Sequence, residues 1–193
     1  MRANSLAFLL IGIGIGFGAM YPFMKRKAPE IVRAEPVPFI PRSAPGESGP
    51  PPLDRGRLQQ LQAAVQTNPR DFDSLVELGF INFEQQKFQE AVNWYTRALD
   101  VKPDDVGLRT DLGTALFNVG KTEEAEAQFR KSLEFEPTHP QALFNLGVVL
   151  LEVKKDKQGA LQTFEKLVAT HPEFPQVPLV KQQIEAIKQE QQK

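Results

Sequence analysis

VGLRTDLGTALFNVGKTEEAEAQFRKSLEFEPTH, residues 106–139, decides the fold, because a version of this stretch stands on either side of it. Its skeleton is formed by Leu112, Gly113, Ala125, Phe129 and Pro137. Thirty-four residues earlier the same offsets give Leu78, Gly79, Ala91, Tyr95 and Pro103, and thirty-four residues later the leading offsets give Leu146 and Gly147. Self-similarity at a fixed period of this length is typical of a stack of repeated structural units.

Each unit is predicted to be a pair of helices. Leu108, Leu112 and Leu116 recur every four residues, so a first helix has one apolar face. Gly113 interrupts that face with no side chain, which lets a second helix pack closely against the first. Phe129 is placed to fill the seam from the second helix. One such hairpin cannot bury its apolar face alone, so stacked copies are expected.

These residues resemble the tetratricopeptide repeat (TPR). The resemblance implies an all-α fold, a short right-handed helical solenoid of three repeats over residues 72–105, 106–139 and 140–174. The third repeat has one extra residue, which we place in the loop 153–157. This family binds many unrelated partners, so the resemblance implies an interaction surface without naming what it binds.

Two flanking segments are predicted to cap the stack. Residues 54–68 repeat the spacing of an apolar helix face with Leu58, Leu61, Ala64 and Val65. Residues 176–190 do the same with Val177, Val180, Ile184 and Ile187. Terminal helices with a polar outer face protect the ends of a solenoid from solvent.

A long apolar segment lies near the N-terminus. Residues 6–23 contain no charge, and eighteen helical residues at about 1.5 Å each cross most of a bilayer. We therefore predict a short tail at 1–5 and a transmembrane helix at 6–24, in a bacterial-type single-pass inner or plasma membrane protein. A cleaved signal peptide is the alternative, although its apolar core is usually shorter and no small-residue cleavage site is evident.

The charges around this segment bear on topology. Lys25, Arg26 and Lys27 follow the apolar run, whereas only Arg2 and the terminal amine precede it. The positive-inside rule therefore favours display of the repeats on the cytoplasmic side, with the periplasmic side as the alternative.

Four glycines mark the same segment: Gly12, Gly14, Gly16 and Gly18. They form two small-xxx-small pairs, which let a second transmembrane helix approach closely. One interpretation is packing in a homo-oligomer or a larger membrane complex. The other is that glycine is simply common in transmembrane helices.

Residues 25–53 are predicted to be a basic flank followed by a proline-rich linker. Eight prolines lie between residues 28 and 53, which disfavours a packed core and favours extended polyproline II. A spacer is the simplest interpretation. Val37, Phe39 and Ile40 form an apolar cluster within it that can dock onto this protein's own groove or onto a partner.

Composition excludes several classes of function. The chain has no cysteine, so disulfides and thiolate metal sites are excluded. Residues 54–193 hold 17 Lys and Arg against 21 Asp and Glu, which gives nucleic acid no basic surface. No motif for a nucleophile, a phosphate loop or a metal site is present. We predict a protein that is not an enzyme and has no catalytic residue, cofactor or metal.

The resemblance implies a concave groove lined by the first helix of each repeat. The lining residues then are Val76, Phe80, Phe83, Thr110, Asp111, Thr114, Phe117, Phe144, Asn145, Val148 and Leu151. Exposed, this surface would suit an apolar or basic peptide, or an amphipathic helix, of a partner protein. The alternative is that several of these residues pack on adjacent helices or are covered by the last helix.

Three functional hypotheses follow. The first is a membrane-anchored adaptor or scaffold that binds a partner protein in the groove, in assembly of a membrane complex. The second comes from a similarity to the TPR subunits of cytochrome c biogenesis machinery, whose groove presents an apocytochrome. The third is a structural accessory subunit held through its glycine-rich transmembrane helix.

Overall fold

The computed structural model describes residues 54–192, and all of the regular structure in that range is helical. Eight α-helices and one short π-helix follow each other along the chain. They are α1 (Arg55–Thr67), α2 (Phe72–Glu84), α3 (Phe88–Leu99), α4 (Val106–Asn118), α5 (Thr122–Phe135), α6 (Pro140–Val148), the π-helix (Val149–Val153), α7 (Lys157–Thr170) and α8 (Val177–Gln191).

Each helix packs against the next one in the chain, from α1 to α8. Helices α2 and α3, α4 and α5, and α6 and α7 form three hairpins, with α1 before them and α8 after them. Neighbouring hairpins are joined in turn by the contacts of α3 with α4 and of α5 with α6. The expected all-helical solenoid is confirmed over the described residues.

In each hairpin, a glycine of the first helix faces an aromatic ring of the second. The pairs are Gly79 with Tyr95, Gly113 with Phe129 and Gly147 with Phe164. A Cβ atom on Gly113 would lie 2.6 Å from Cε1 of Phe129, a ring that is completely buried. No side chain fits at this position, so the glycine is what allows the two helices to approach.

The third hairpin takes up its extra residue in the helix and not by a longer loop. The last turn of the first helix widens into the π-helix, where the amide of Lys154 donates to the carbonyl of Val149 at 3.0 Å. The following turn keeps its left-handed residue, Lys155 (φ 56°), which corresponds to Gly120 (φ 82°) in the second hairpin. The prediction of a longer loop at 153–157 is therefore corrected: one wide helical turn absorbs the residue.

One apolar cluster runs through the whole stack. Phe129, Phe144 and Phe164 are completely buried in the second and third hairpins. The end helices extend this core, with Leu61 and Val65 from α1 and with Val180, Ile184 and Ile187 from α8. Stacking thus buries the apolar faces that a single hairpin leaves exposed.

Within residues 54–192, no helix is both long enough and apolar enough to cross a membrane. The predicted transmembrane helix (6–24) with Gly12, Gly14, Gly16 and Gly18, the N-terminal tail, and the linker (25–53) lie outside the described residues.

Candidate peptide-binding groove

The groove predicted from the sequence belongs to the first helices of the hairpins, α2, α4 and α6. Helices α4 and α6 touch directly, and the amide Nδ2 of Asn145 on α6 donates to Oγ1 of Thr114 on α4 at 3.1 Å. The first helices of the second and third hairpins therefore lie beside each other.

An apolar stripe on α2 is accessible. Val76, Phe80 and Phe83 are spaced by four and then three residues, so they share one face of the helix. Phe80 is 38% exposed, a large fraction for a phenylalanine, and Val76 and Phe83 are half-buried. We call these three residues the α2 stripe.

A ring contact holds part of the stripe in place. The rings of Phe83 and Phe88 meet edge to face, with centroids 5.2 Å apart and an interplanar angle of 67°. Phe88 is the first residue of α3, so the contact joins the end of the stripe to the second helix of its hairpin. Farther along the stack, Phe117 and Leu151 are half-buried and keep some accessible surface.

Five predicted lining residues are buried and are corrected here. They are Thr110, Thr114, Phe144, Asn145 and Val148, none of which is more than 2% exposed. The ring of Phe144 lies 5.9 Å from that of Phe174, which belongs to the segment between α7 and α8. Phe174 thus packs on the first helix of the third hairpin, and all five residues belong to the buried interior.

Three of these buried residues form a polar seam. Oγ1 of Thr110 lies 3.1 Å from Oγ of Ser132, and Thr114 donates from Oγ1 to the carbonyl of Thr110 at 3.0 Å. Asn145 continues the seam by donating to Thr114, and Gln141 Nε2 donates to Asn145 Oδ1 at 3.3 Å. Buried polar groups are stable only when they are paired in this way. The seam therefore fixes the register of α4 against α5 and α6.

Several carboxylates lie near the α2 stripe, and they differ in burial and in their partners. Burial raises the pKa of Glu84, which is half-buried at the end of α2. Glu77 accepts a hydrogen bond from Arg57 Nε at 2.6 Å, and this partner holds the pKa of Glu77 below its usual value. Glu77 thus ties α1 to α2. Asp73 is exposed and Asp111 is half-buried, which keeps the surroundings of the stripe acidic.

A buried cation at Arg109 stands where the resemblance leads one to expect a large apolar residue. Its Nη1 donates to Oε1 of Gln128 at 2.8 Å and its Nη2 donates to the carbonyl of Pro103, while its Nε has no partner within residues 54–192. Burial lowers the pKa of the guanidinium. These contacts join α4 to α5 and to the preceding loop, so Arg109 is part of the packing and not of the groove.

No group of three or more His, Asp or Glu residues in the described part of the chain is arranged to hold a metal ion. His139 Nδ1 lies 3.2 Å from a carboxylate oxygen of Glu136 in the same turn. His171 Nδ1 lies 3.0 Å from Oγ1 of Thr170. Both histidines therefore make local contacts, His139 in the turn after the second hairpin and His171 in the turn after the third.

Comparisons with known proteins agree with this geometry. A family model described as the cilia and flagella-associated protein 70 middle TPR-like domain matches residues 82–190. No curated protein sequence matches the chain.

Several solved structures share the fold. A tetratricopeptide repeat protein from Parabacteroides merdae is 24% identical with a TM-score of 0.62, and the match covers 69% of this chain and 53% of that protein. MamA is 13% identical with a TM-score of 0.58, over 70% of this chain and 86% of that one. The first TPR of Spaghetti (RPAP3), bound to the HSP90 peptide SRMEEVD, is 22% identical with a TM-score of 0.56. The match covers 63% of this chain and 94% of that one.

Proposed function

Because the chain belongs to the family of the cilia and flagella-associated protein 70 middle TPR-like domain, we propose that it is a protein-interaction adaptor without catalytic activity. It binds a peptide or an amphipathic helix of a partner protein in its groove. The observation that carries the proposal is the α2 stripe, whose Phe80 is 38% exposed. Exposed aromatic side chains in a concave surface are typical anchors for a partner's apolar residues.

The acidic surroundings favour an apolar or basic peptide. In the similar RPAP3 structure the bound HSP90 peptide, SRMEEVD, is acidic. The TPR proteins that bind such carboxylates have lysine and arginine in their groove. At the similar positions this chain has Val76, Phe80, Asp111 and Gln141, none of which carries a positive charge. A peptide with apolar anchors and positive charge complements the present surface better.

The groove is tested by crosslinking in native membranes, followed by identification of the captured protein and by affinity measurements with its binding segment. Phe80→Ala combined with Phe117→Ala should weaken capture about tenfold or more, because truncated aromatic anchors often cost over 1 kcal/mol. Phe135→Ala is the matched control, since Phe135 is 50% exposed but lies on a second helix, α5. Unchanged affinity in the double variant would rule out the groove.

We propose that residues 6–24 anchor the chain in a membrane and that the linker displays the repeats away from it. Support comes from the uncharged run of eighteen residues and its basic flank. The 26 residues from 28 to 53 reach up to about 80 Å as polyproline II. A topology reporter fused after Lys193 distinguishes the cytoplasmic side, favoured by the flanking cations, from the periplasmic side.

Two alternatives use the same anchor. In an assembly factor of the cytochrome c maturation type, the groove presents an apoprotein, and deletion of the gene lowers mature cytochrome c. In a structural accessory subunit, the glycine-rich helix holds the protein in its complex. Gly14→Leu with Gly16→Leu then releases it while groove binding survives, whereas an adaptor that acts through its groove retains its partner.

A further inference from the structure

A second recess lies outside the groove, between α1 and α3. It has a volume of about 420 Å³ and is lined by Gln62, Val65 and Gln66 from α1 and by Trp94 and Arg97 from α3. We call it the Trp94 cleft. None of its residues belongs to the predicted groove, so it is a separate surface of the molecule.

The cleft combines an aromatic face with a cation. Cζ of Arg97 lies 4.7 Å from the centroid of the Trp94 ring, which is cation–π stacking geometry. Trp94 is the only tryptophan in the chain and is half-buried against the core. Arg97 lines the cleft, and within residues 54–192 its guanidinium makes no salt bridge.

This combination of groups matches the requirements of an acidic, proline-rich ligand. Polyproline II has no internal hydrogen bonds, so its carbonyls accept from donors such as an indole N–H or a glutamine amide. Aromatic residues line the sites that recognise such segments, because proline rings pack on flat rings. A carboxylate beside the prolines would pair with Arg97.

The chain carries such a ligand itself. Residues 35–41 read EPVPFIP, with Glu35 followed by three prolines in seven residues. We propose that residues 35–41 bind in the Trp94 cleft, with prolines packed on Trp94 and with Glu35 paired to Arg97.

The connection is long enough for this contact. Twelve residues, 42–53, separate Pro41 from Asp54, and at about 3.1 Å each they reach up to about 37 Å. Val65 lies ten residues beyond the start of α1, which is about 15 Å along the helix. A short tether also gives the segment an effective concentration in the millimolar range, so weak contacts suffice.

The experiment uses the fluorescence of Trp94 in the full chain, since no other tryptophan contributes. Acrylamide quenching should increase, and the emission maximum should move to longer wavelength, when Pro36→Gly and Pro38→Gly remove the docked segment. Glu35→Gln should lower the docking equilibrium constant about two- to fivefold, as expected for one exposed ion pair. Pro50→Gly with Pro51→Gly is the matched control, because it changes the same linker outside the segment.

Rescue in trans completes the test. A synthetic peptide of residues 34–42, added to the Pro36/Pro38 variant, should restore protection of Trp94, and Arg97→Gln should weaken that rescue, with far-UV circular dichroism confirming the fold. Equal quenching in the wild type and in both proline variants would overturn the proposal. Protection that rises with protein concentration would assign the cleft to a second copy, and protection lost in Phe80→Ala would assign the segment to the groove; either result overturns docking within one chain.

Discussion

Replacing Gly113 by alanine tests the contact on which the hairpin packing depends. The new Cβ would lie 2.6 Å from Cε1 and 2.9 Å from Cδ1 of Phe129. Carbon atoms at rest stay about 3.5–4.0 Å apart, so the ring must move. Phe129 is completely buried, so its ring is surrounded by other parts of the protein and not by solvent.

Two opposing effects set the size of the change. Alanine is favoured over glycine inside a helix by about 0.8–1.0 kcal/mol. Overpacking a filled core costs about 1–3 kcal/mol. We therefore expect Gly113→Ala to lower the free energy of unfolding by about 0–2 kcal/mol in total.

A second helical glycine separates the two effects. At Gly56 in α1, a Cβ would approach only Oδ1 of Asp54, at 3.3 Å. Gly56→Ala therefore adds a methyl group without a collision with a buried ring, and it should be neutral or stabilising. The difference between the two variants should be about 1–3 kcal/mol, or a midpoint difference of about 0.5–2 M in urea unfolding of the full chain.

The result that refutes this reasoning is a Gly113→Ala variant as stable as Gly56→Ala. A double-mutant cycle sharpens the test, because Phe129→Leu removes the ring that the new methyl group meets. The two substitutions should then be less destabilising together than the sum of their separate effects, by about 1 kcal/mol or more. Simple additivity would mean that the methyl group and the ring do not collide.

Four further substitutions are expected to change the stability of the described residues, each measured by urea unfolding. Arg109→Leu should change the free energy of unfolding by less than about 1 kcal/mol, because removal of a buried, incompletely paired cation offsets the loss of its hydrogen bonds to Gln128 and Pro103. Gln86→Gly should stabilise by about 0.5–1 kcal/mol, since Gln86 has a φ of 58°, and Gly120→Ala should destabilise by about 1 kcal/mol at a φ of 82°. Because Arg57 lowers the folded-state pKa of Glu77, the pair stabilises the fold above the unfolded pKa of about 4.3 and the effect disappears as pH falls through the folded value. Glu77→Gln should therefore lose less stability than the wild type between about pH 5 and pH 3.

The groove was only partly predictable from position within the repeat. Val76, Phe80 and Phe83 are accessible on α2, the first helix of the first hairpin. The equivalent positions Phe144 and Val148 on α6 are buried, although nothing in their own helix distinguishes them. The ring of Phe144 packs against Phe174, which lies thirty residues farther along the chain.

The sequence by itself determined the helical units, their order and the aromatic ring that packs against each glycine. These features depend on spacing within one unit, where Gly113 and Phe129 stand sixteen residues apart in a repeating pattern. Only the tertiary structure decided which inner residues stay accessible and where the extra residue goes. It also decided that Arg57 ties α1 to α2 through Glu77. The burial and pairing of a side chain depend on neighbours that are distant in sequence. A local periodic pattern therefore does not predict them.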